Sequence, residues 1–135
     1  MITVAQYFGE FLDHPDALEV RKEAAATLLE RVNALLFAYE ASDRKVPINP
    51  HTGTQVSGVE FGGFRPQSCP QGAPHSSHKE GGGVDVYDPQ NRLDDWLNDD
   101  ILAAFDLYRE HPDSTQGWCH LTTRRPPSGH RTFLP

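Results

Sequence analysis

The distribution of glycine and proline limits what this chain can fold into more than any other feature of the sequence. The chain of 135 residues has eleven of each, and most of them lie after residue 46. Both residue types interrupt long helices and strands, so residues 42–82 are predicted to form ordered loops rather than regular elements. The remaining composition, 37% hydrophobic and 23% charged, fits one soluble domain over residues 1–135.

The longest segment without glycine or proline, Asp16–Ala41, predicts an amphipathic helix. Pro15 suits its first turn, where a missing N–H has no partner to lose. A shorter helix is predicted at Val4–Leu12, although Gly9 weakens it. The N-terminal helical region is therefore residues 1–41. The apolar positions of the long helix recur at spacings of three, four and seven; they are Leu18, Ala25, Leu28, Leu29, Val32, Leu35, Leu36 and Tyr39.

Regular elements are also predicted beyond the loops. Val84–Tyr87 and Trp118–Leu121 have the apolar and β-branched pattern of short strands. Asp94–Tyr108 predicts a second helical region, broken near Asn98 and ended by Pro112. Four apolar residues inside the loop segment are expected to anchor it to a core; they are Val56, Val59, Phe61 and Phe64.

Charge and hydropathy exclude several classes of partner. Nineteen acidic against twelve basic residues give a net charge of -7, which argues against a nucleic-acid-binding surface. No apolar run approaches the roughly 20 residues that cross a bilayer, and the N-terminus has no signal-peptide pattern. We therefore expect no membrane contact, and a location that is cytoplasmic in the producing cell or associated with a virion. Cys69 and Cys119 are the only cysteines, enough for one bridge at most.

The segment SSHKEGGGVD, residues 76–85, is the most informative for function. Its glycine-rich turn can fold His78 back toward Asp85, and a third ligand would complete a catalytic zinc site with one open position. His120 is the best candidate, since on a strand it shares a face with Trp118 while Cys119 points away. The alternative without metal stays open, because most histidines and glycine-rich turns have no ligand role.

The same segment resembles the SxHxxGxAxD signature of the zinc D-alanyl-D-alanine carboxypeptidases and related cell-wall metallopeptidases. The matches are Ser76, His78, Gly81 and Asp85, with Gly83 in place of the usual alanine. GGFRP at residues 62–66 is similar to that family's arginine-bearing segment, and GWCHL at 117–121 to the segment with its last histidine. Together with NPHTG, YDP and SGHRTFLP, these motifs resemble short members carried by bacteriophages.

The resemblance implies an α+β fold, a small antiparallel sheet flanked by helices, of the hedgehog-type peptidase kind. The metal-site region would be residues 55–125, and one Zn²⁺ would be held by His78, Asp85 and His120. The implied activity is hydrolysis of peptidoglycan stem peptides, or other peptides with D-amino acids, as a carboxypeptidase or as an endopeptidase.

The resemblance also implies roles around the metal. Arg65 would hold the substrate carbonyl oxygen, and Ser76 would orient the loop or a substrate group. Trp118, by its place on the strand of His120, is either a core residue or a pocket wall that contacts substrate. Many family members place an acidic base three residues before the last histidine, where this chain has Gly117. The remaining candidates for the base are Glu80, Glu110 and Asp113.

A second hypothesis is a non-catalytic zinc-binding or structural module of a phage particle, with virion proteins as partners. Gly117 in place of the base motivates it. Under the peptidase hypothesis the protein would reach the cell wall after release from the producing cell or from a virion.

Overall fold

A computed structural model describes residues 1–135 and shows a mixed α/β fold with one four-stranded sheet. Three short 3₁₀ turns, Gly9–Phe11, Ser77–Glu80 and Pro112–Ser114, complete the regular structure. The helices are α1 (Val4–Phe8), α2 (Glu19–Ala41), α3 (Arg92–Trp96) and α4 (Asp99–Ala104), and the strands are β1 (Gly83–Tyr87), β2 (Tyr108–Glu110), β3 (Trp118–Thr122) and β4 (Thr132–Phe133). No helix is both long enough and apolar enough to span a membrane.

The sheet has the strand order β1-β3-β2-β4. β3 pairs antiparallel with β1 and with β2, as predicted for this small sheet. The fourth strand differs from that prediction because it pairs parallel with β2, with Arg109 opposite Thr132. The nine-residue loop 123–131 reverses the chain widely enough to leave room for β2 between β3 and β4.

Helix α2 forms one wall of the core. It begins at Glu19 rather than Asp16, because the Asp16 carboxylate accepts a hydrogen bond from the Gln67 N–H at 2.8 Å instead of capping the helix. Leu18 lies at the cap and is 48% exposed, so its predicted burial is wrong. The other seven predicted positions are buried: Ala25, Leu28, Leu29, Val32, Leu35, Leu36 and Tyr39.

The shorter helices differ from prediction at their ends. α1 stops at Phe8 because Gly9 adopts a positive φ, and a 3₁₀ turn continues to Phe11. The predicted break near Asn98 is confirmed, since the Asn98 side chain caps α4 by accepting from the Ile101 N–H at 2.9 Å. The helical region ends at Ala104 rather than running to Tyr108.

The strand β2 explains that early end. Tyr108 is the first residue of β2 and pairs with Thr122 of β3. Pro112 lies in the following 3₁₀ turn, so it does not terminate a helix as predicted. A short strand without period-two alternation gives no signal that distinguishes it from a helix end.

The loop segment 42–82 is held against the core at two of its four predicted anchors. Val56 is buried and bridges Val86 of β1, and Phe64 is buried with its ring 5.0 Å from that of Phe8. Phe61 is partly buried and stacks on Phe11, whereas Val59 is 70% exposed and anchors nothing.

Candidate metal centre

Two of the predicted ligands come from neighbouring strands of the sheet. Asp85 on β1 and His120 on β3 are directly opposed in the register. The backbone of Asp85 bonds to Gly62 and Ser57 on its other side, so this is a pair without mutual backbone bonds, in which side chains approach closely. His120 Nδ1 lies 2.8 Å from Asp85 Oδ1.

The third ligand comes from the 3₁₀ turn before β1. The Ser76 hydroxyl caps this turn by accepting from the His78 N–H at 3.3 Å. His78 Nδ1 lies 2.8 Å from the Gly63 carbonyl oxygen, which can only accept, so Nδ1 carries the proton. Nε2 is therefore the ring nitrogen that would ligate a metal, and it lies 3.2 Å from Asp85 Oδ1.

The three ligand atoms lie within 4.8 Å of one another, in an arrangement that can hold a metal ion. Two ligands of a tetrahedral zinc site are about 3.3 Å apart when each bond is about 2.0–2.1 Å, which fits the 3.2 Å between His78 Nε2 and Asp85 Oδ1. Both histidines are buried, and the side chain of Asp85 is 13% exposed. The donor set of two imidazoles and one carboxylate is one that catalytic zinc sites use.

The charge on Asp85 is stabilised by its neighbours. Burial alone would raise the pKa of this carboxyl, but the charges and hydrogen bonds of His78 and His120 lower it far below its ordinary value. Arg65 Nη2 lies 3.4 Å from Asp85 Oδ2, and Arg65 Nε donates to the Phe61 carbonyl at 2.8 Å. Asp85 therefore stays ionised, as a metal ligand must.

The ligands lie in a cavity of about 1210 Å³. Seven of the nine predicted site residues contribute to its walls. The open side of the metal centre therefore faces a space large enough for a peptide segment. The predicted residues that line the cavity are Arg65, Ser76, His78, Asp85, Glu110, Trp118 and His120.

Of the three carboxylates considered for the catalytic base, Glu110 alone lines this cavity. It ends β2, beside the central strand that carries His120, and its burial raises the pKa of its carboxyl. Glu80 lies outside the cavity, half exposed and paired with Arg124 at 3.1 Å. Asp113 also lies outside, with a side chain 91% exposed.

Gly117 occupies a backbone conformation that favours glycine. Its φ is +98°, a region that residues with a Cβ rarely adopt. Its N–H donates to Asn91 Oδ1 at 2.8 Å, which holds the turn before β3 in this shape. A glutamate at this position would strain the turn that leads into the His120 strand.

Three supporting residues were not predicted. The Ser77 hydroxyl lies 3.4 Å from His120 Nε2, the ring nitrogen that faces away from Asp85. The Tyr7 hydroxyl on α1 donates to the Gly83 carbonyl at 2.9 Å. The backbone carbonyl of Tyr7 accepts from the Phe64 N–H, so the N-terminal helix is connected to both sides of the site. The Gly63 carbonyl orients His78. Of these three residues, only Ser77 could have been suspected from the sequence. The resembled signature has alanine at the position of Gly83, and the smaller glycine suggests that a neighbouring side chain needs the space.

Gly83 packs closely against Ser77 and His120. A Cβ added at Gly83 would lie 2.3 Å from Ser77 Oγ and 3.1 Å from His120 Cε1. The first distance is too short for real atoms, so an alanine would force Ser77 Oγ to move, and the second is tight enough to press on the His120 ring. Serine at position 77 therefore disfavours any side chain at position 83.

The two cysteines contribute nothing to the centre. Both are buried and unpaired, so the bridge that the sequence allowed is not formed. Cys119 points into the core, where burial raises the pKa of its thiol.

Comparison of the chain with protein-family models, with curated proteins and with solved structures gives no significant match.

Proposed function

We propose that this protein is a zinc-dependent peptidase with a hedgehog-type fold that hydrolyses peptidoglycan stem peptides through a metal-activated water. The proposal covers the carboxypeptidase and the endopeptidase types, with one zinc per chain. The observation that carries it is the convergence of His78, Asp85 and His120 at the wall of an open cavity. The similarity of SSHKEGGGVD to the signature of the cell-wall metallopeptidases supports it independently.

The residues of the cavity supply complementary functions. When bound, zinc in such a ligand set lowers the pKa of a coordinated water toward about 7 and polarises a carbonyl. Glu110, the one base candidate that lines the cavity, would take the proton of the attacking water. Arg65 directs a fixed positive charge into the same cavity, where it stabilises charge that develops on the substrate carbonyl oxygen.

The substrate class determines where the protein acts. Stem peptides lie in the cell wall, so the proposed activity requires release of the protein from the producing cell or delivery by a phage particle. D-amino acids next to the cleaved bond distinguish these substrates from ordinary proteins, and the assay uses this difference.

The test compares a peptide ending in two D-alanines with the same peptide ending in two L-alanines. The zinc-loaded wild type is expected to cleave the first peptide, and mass spectrometry of the products shows whether a terminal residue or an internal segment is released. His78→Ala should abolish cleavage. His51→Ala is the matched control, because His51 is exposed and lies outside the cavity. Equal cleavage by the His78 variant would contradict the proposal.

The second candidate, a non-catalytic zinc-binding or structural module of a phage particle, is favoured by Gly117 at the position where a base is usual. It predicts bound zinc without hydrolysis of either peptide. Exchange of Glu110 would then change nothing measurable in the assay.

A further inference from the structure

The metal-centre cavity is more cationic than the protein that contains it. The whole chain has 12 basic and 19 acidic residues, yet three arginines and two carboxylates line the cavity. Asp85 is a metal ligand and Glu110 lies beside the ligands, so both acidic groups belong to the metal centre. The surplus positive charge therefore faces the space that a ligand would fill.

Two of the three arginines already have partners. Arg65 bonds to the Phe61 carbonyl and to Asp85. Arg124 pairs with Glu80 at 3.1 Å and donates to the His75 carbonyl. The protein holds both guanidinium groups in place, Arg65 beside Asp85 and Arg124 beside Glu80.

Arg125 is different, because its exposed guanidinium makes no ion pair and no side-chain hydrogen bond within the chain. It packs flat on Gly129, where an added Cβ would lie 2.7 Å from Nη2. A turn in which the Gly129 N–H donates to the Pro126 carbonyl at 2.9 Å folds the loop under the guanidinium. The loop thus holds the Arg125 guanidinium at the cavity wall, and its N–H donors make no hydrogen bond to the protein.

We propose that Arg125 binds a carboxylate of the substrate, so that the site selects carboxylate-bearing stem peptides over neutral ones. This inference rests on the proposed function. A guanidinium matches a carboxylate with two parallel hydrogen bonds, which a neutral amide does not reproduce. Arg125 follows His120 by five residues, at most about 17 Å of extended chain, so a short peptide can reach both.

Stem peptides have two carboxylates that meet this description, the C-terminal group and the free carboxylate of a D-glutamate residue. Three probes separate these sources: a stem-type pentapeptide Ala-D-Glu-Lys-D-Ala-D-Ala, its C-terminal amide, and its analogue with D-glutamine. Their affinity for zinc-loaded Glu110→Gln protein is measured by titration calorimetry, with and without Arg125→Gln. The Glu110 exchange is included to slow cleavage during the titration.

Arg125→Gln is expected to weaken binding of the unmodified peptide about tenfold, the scale of one exposed charge-assisted contact. For the probe that lacks the carboxylate bound by Arg125, Arg125→Gln should leave the affinity unchanged. Arg125→Lys should weaken binding less than Arg125→Gln does, since lysine retains the positive charge but not the two parallel N–H donors. The matched control is Arg44→Gln, because Arg44 is exposed, outside the cavity and bonded only to Ser42.

The outcomes separate this inference from the proposed function. Equal affinities with and without Arg125→Gln, or no binding of any probe, would overturn the role of Arg125. Cleavage by the wild type combined with unchanged affinities would sustain the peptidase and remove the carboxylate contact. Selective carboxylate binding without cleavage by the wild type would sustain the contact and overturn the peptidase.

Discussion

His120 on β3 lies directly opposite Asp85 on β1, with Nδ1 2.8 Å from Oδ1, in a strand pair whose backbone groups bond elsewhere. The register of the sheet therefore fixes the distance between these two ligands. A slip of one residue would turn His120 to the opposite face and place Cys119 or Leu121 against Asp85. Two members of the candidate metal centre are thus fixed by the central strand pair, and only His78 comes from outside the sheet.

Exchange of Glu110 should separate binding from catalysis. Glu110→Gln is expected to lower kcat by about 10²–10⁴, the usual contribution of a positioned general base, while zinc remains bound. Glu80→Gln serves as the comparison, because Glu80 is paired with Arg124 outside the cavity. Stopped peptide-hydrolysis assays on both zinc-loaded variants measure this. A larger loss in Glu80→Gln than in Glu110→Gln would assign the base to Glu80.

An alanine at position 83 should be tolerated only when Ser77 is also changed. Gly83→Ala is expected to cost about 1–3 kcal/mol of unfolding free energy, as overpacking usually does, because its Cβ would lie 2.3 Å from Ser77 Oγ. The double variant with Ser77→Ala should recover part of this loss. Urea unfolding of the four proteins gives the coupling free energy, and strictly additive effects would contradict the packing described for this pair.

Removal of the Phe64 side chain should destabilise both the fold and the metal centre. Phe64 is fully buried against Phe8, and it follows Gly63, whose carbonyl orients His78. Phe64→Ala is expected to cost about 3–5 kcal/mol and to weaken zinc binding as the loop shifts. Val59→Ala in the same loop should change stability by less than about 0.5 kcal/mol, because Val59 is 70% exposed. Equal losses in the two variants would refute this anchor.

The metal-free protein should lose stability in acid through Asp85. His78 and His120 lower the pKa of this carboxyl in the folded state despite its burial. Its ionised form therefore stabilises the folded protein above the ordinary pKa of about 4, and this stabilisation is lost as the pH falls through the lowered value. Urea unfolding between pH 7 and pH 3 should show a steeper decline for wild type than for Asp85→Asn. Parallel curves would be inconsistent with the lowered pKa.

Elements with strong local patterns were predictable from the sequence. The apolar periodicity of α2 and the alternation around Asp85 gave the helix and the strand, because burial of one face dictates both patterns. The same reasoning placed His120 opposite to Cys119, and the structure shows Cys119 in the core. The break at Asn98 was predictable because asparagine is a good helix cap.

Features that depend on distant parts of the chain were not predictable. Asp16 looked like the start of α2, but its carboxylate is used by Gln67 in a loop 51 residues away. The two-residue strand β4 exists only because β2 offers it a free edge. Among Glu110, Glu80 and Asp113, only Glu110 lines the cavity, and the sequence around these residues contains no information about that tertiary arrangement.

The central claim, a metal ion held by His78, Asp85 and His120, is tested most directly by elemental analysis of the purified protein. The wild type is expected to contain close to one zinc per chain, and His78→Ala far less, with His51→Ala as the control that keeps it. A wild type that takes up no metal when zinc is supplied in excess would contradict the account.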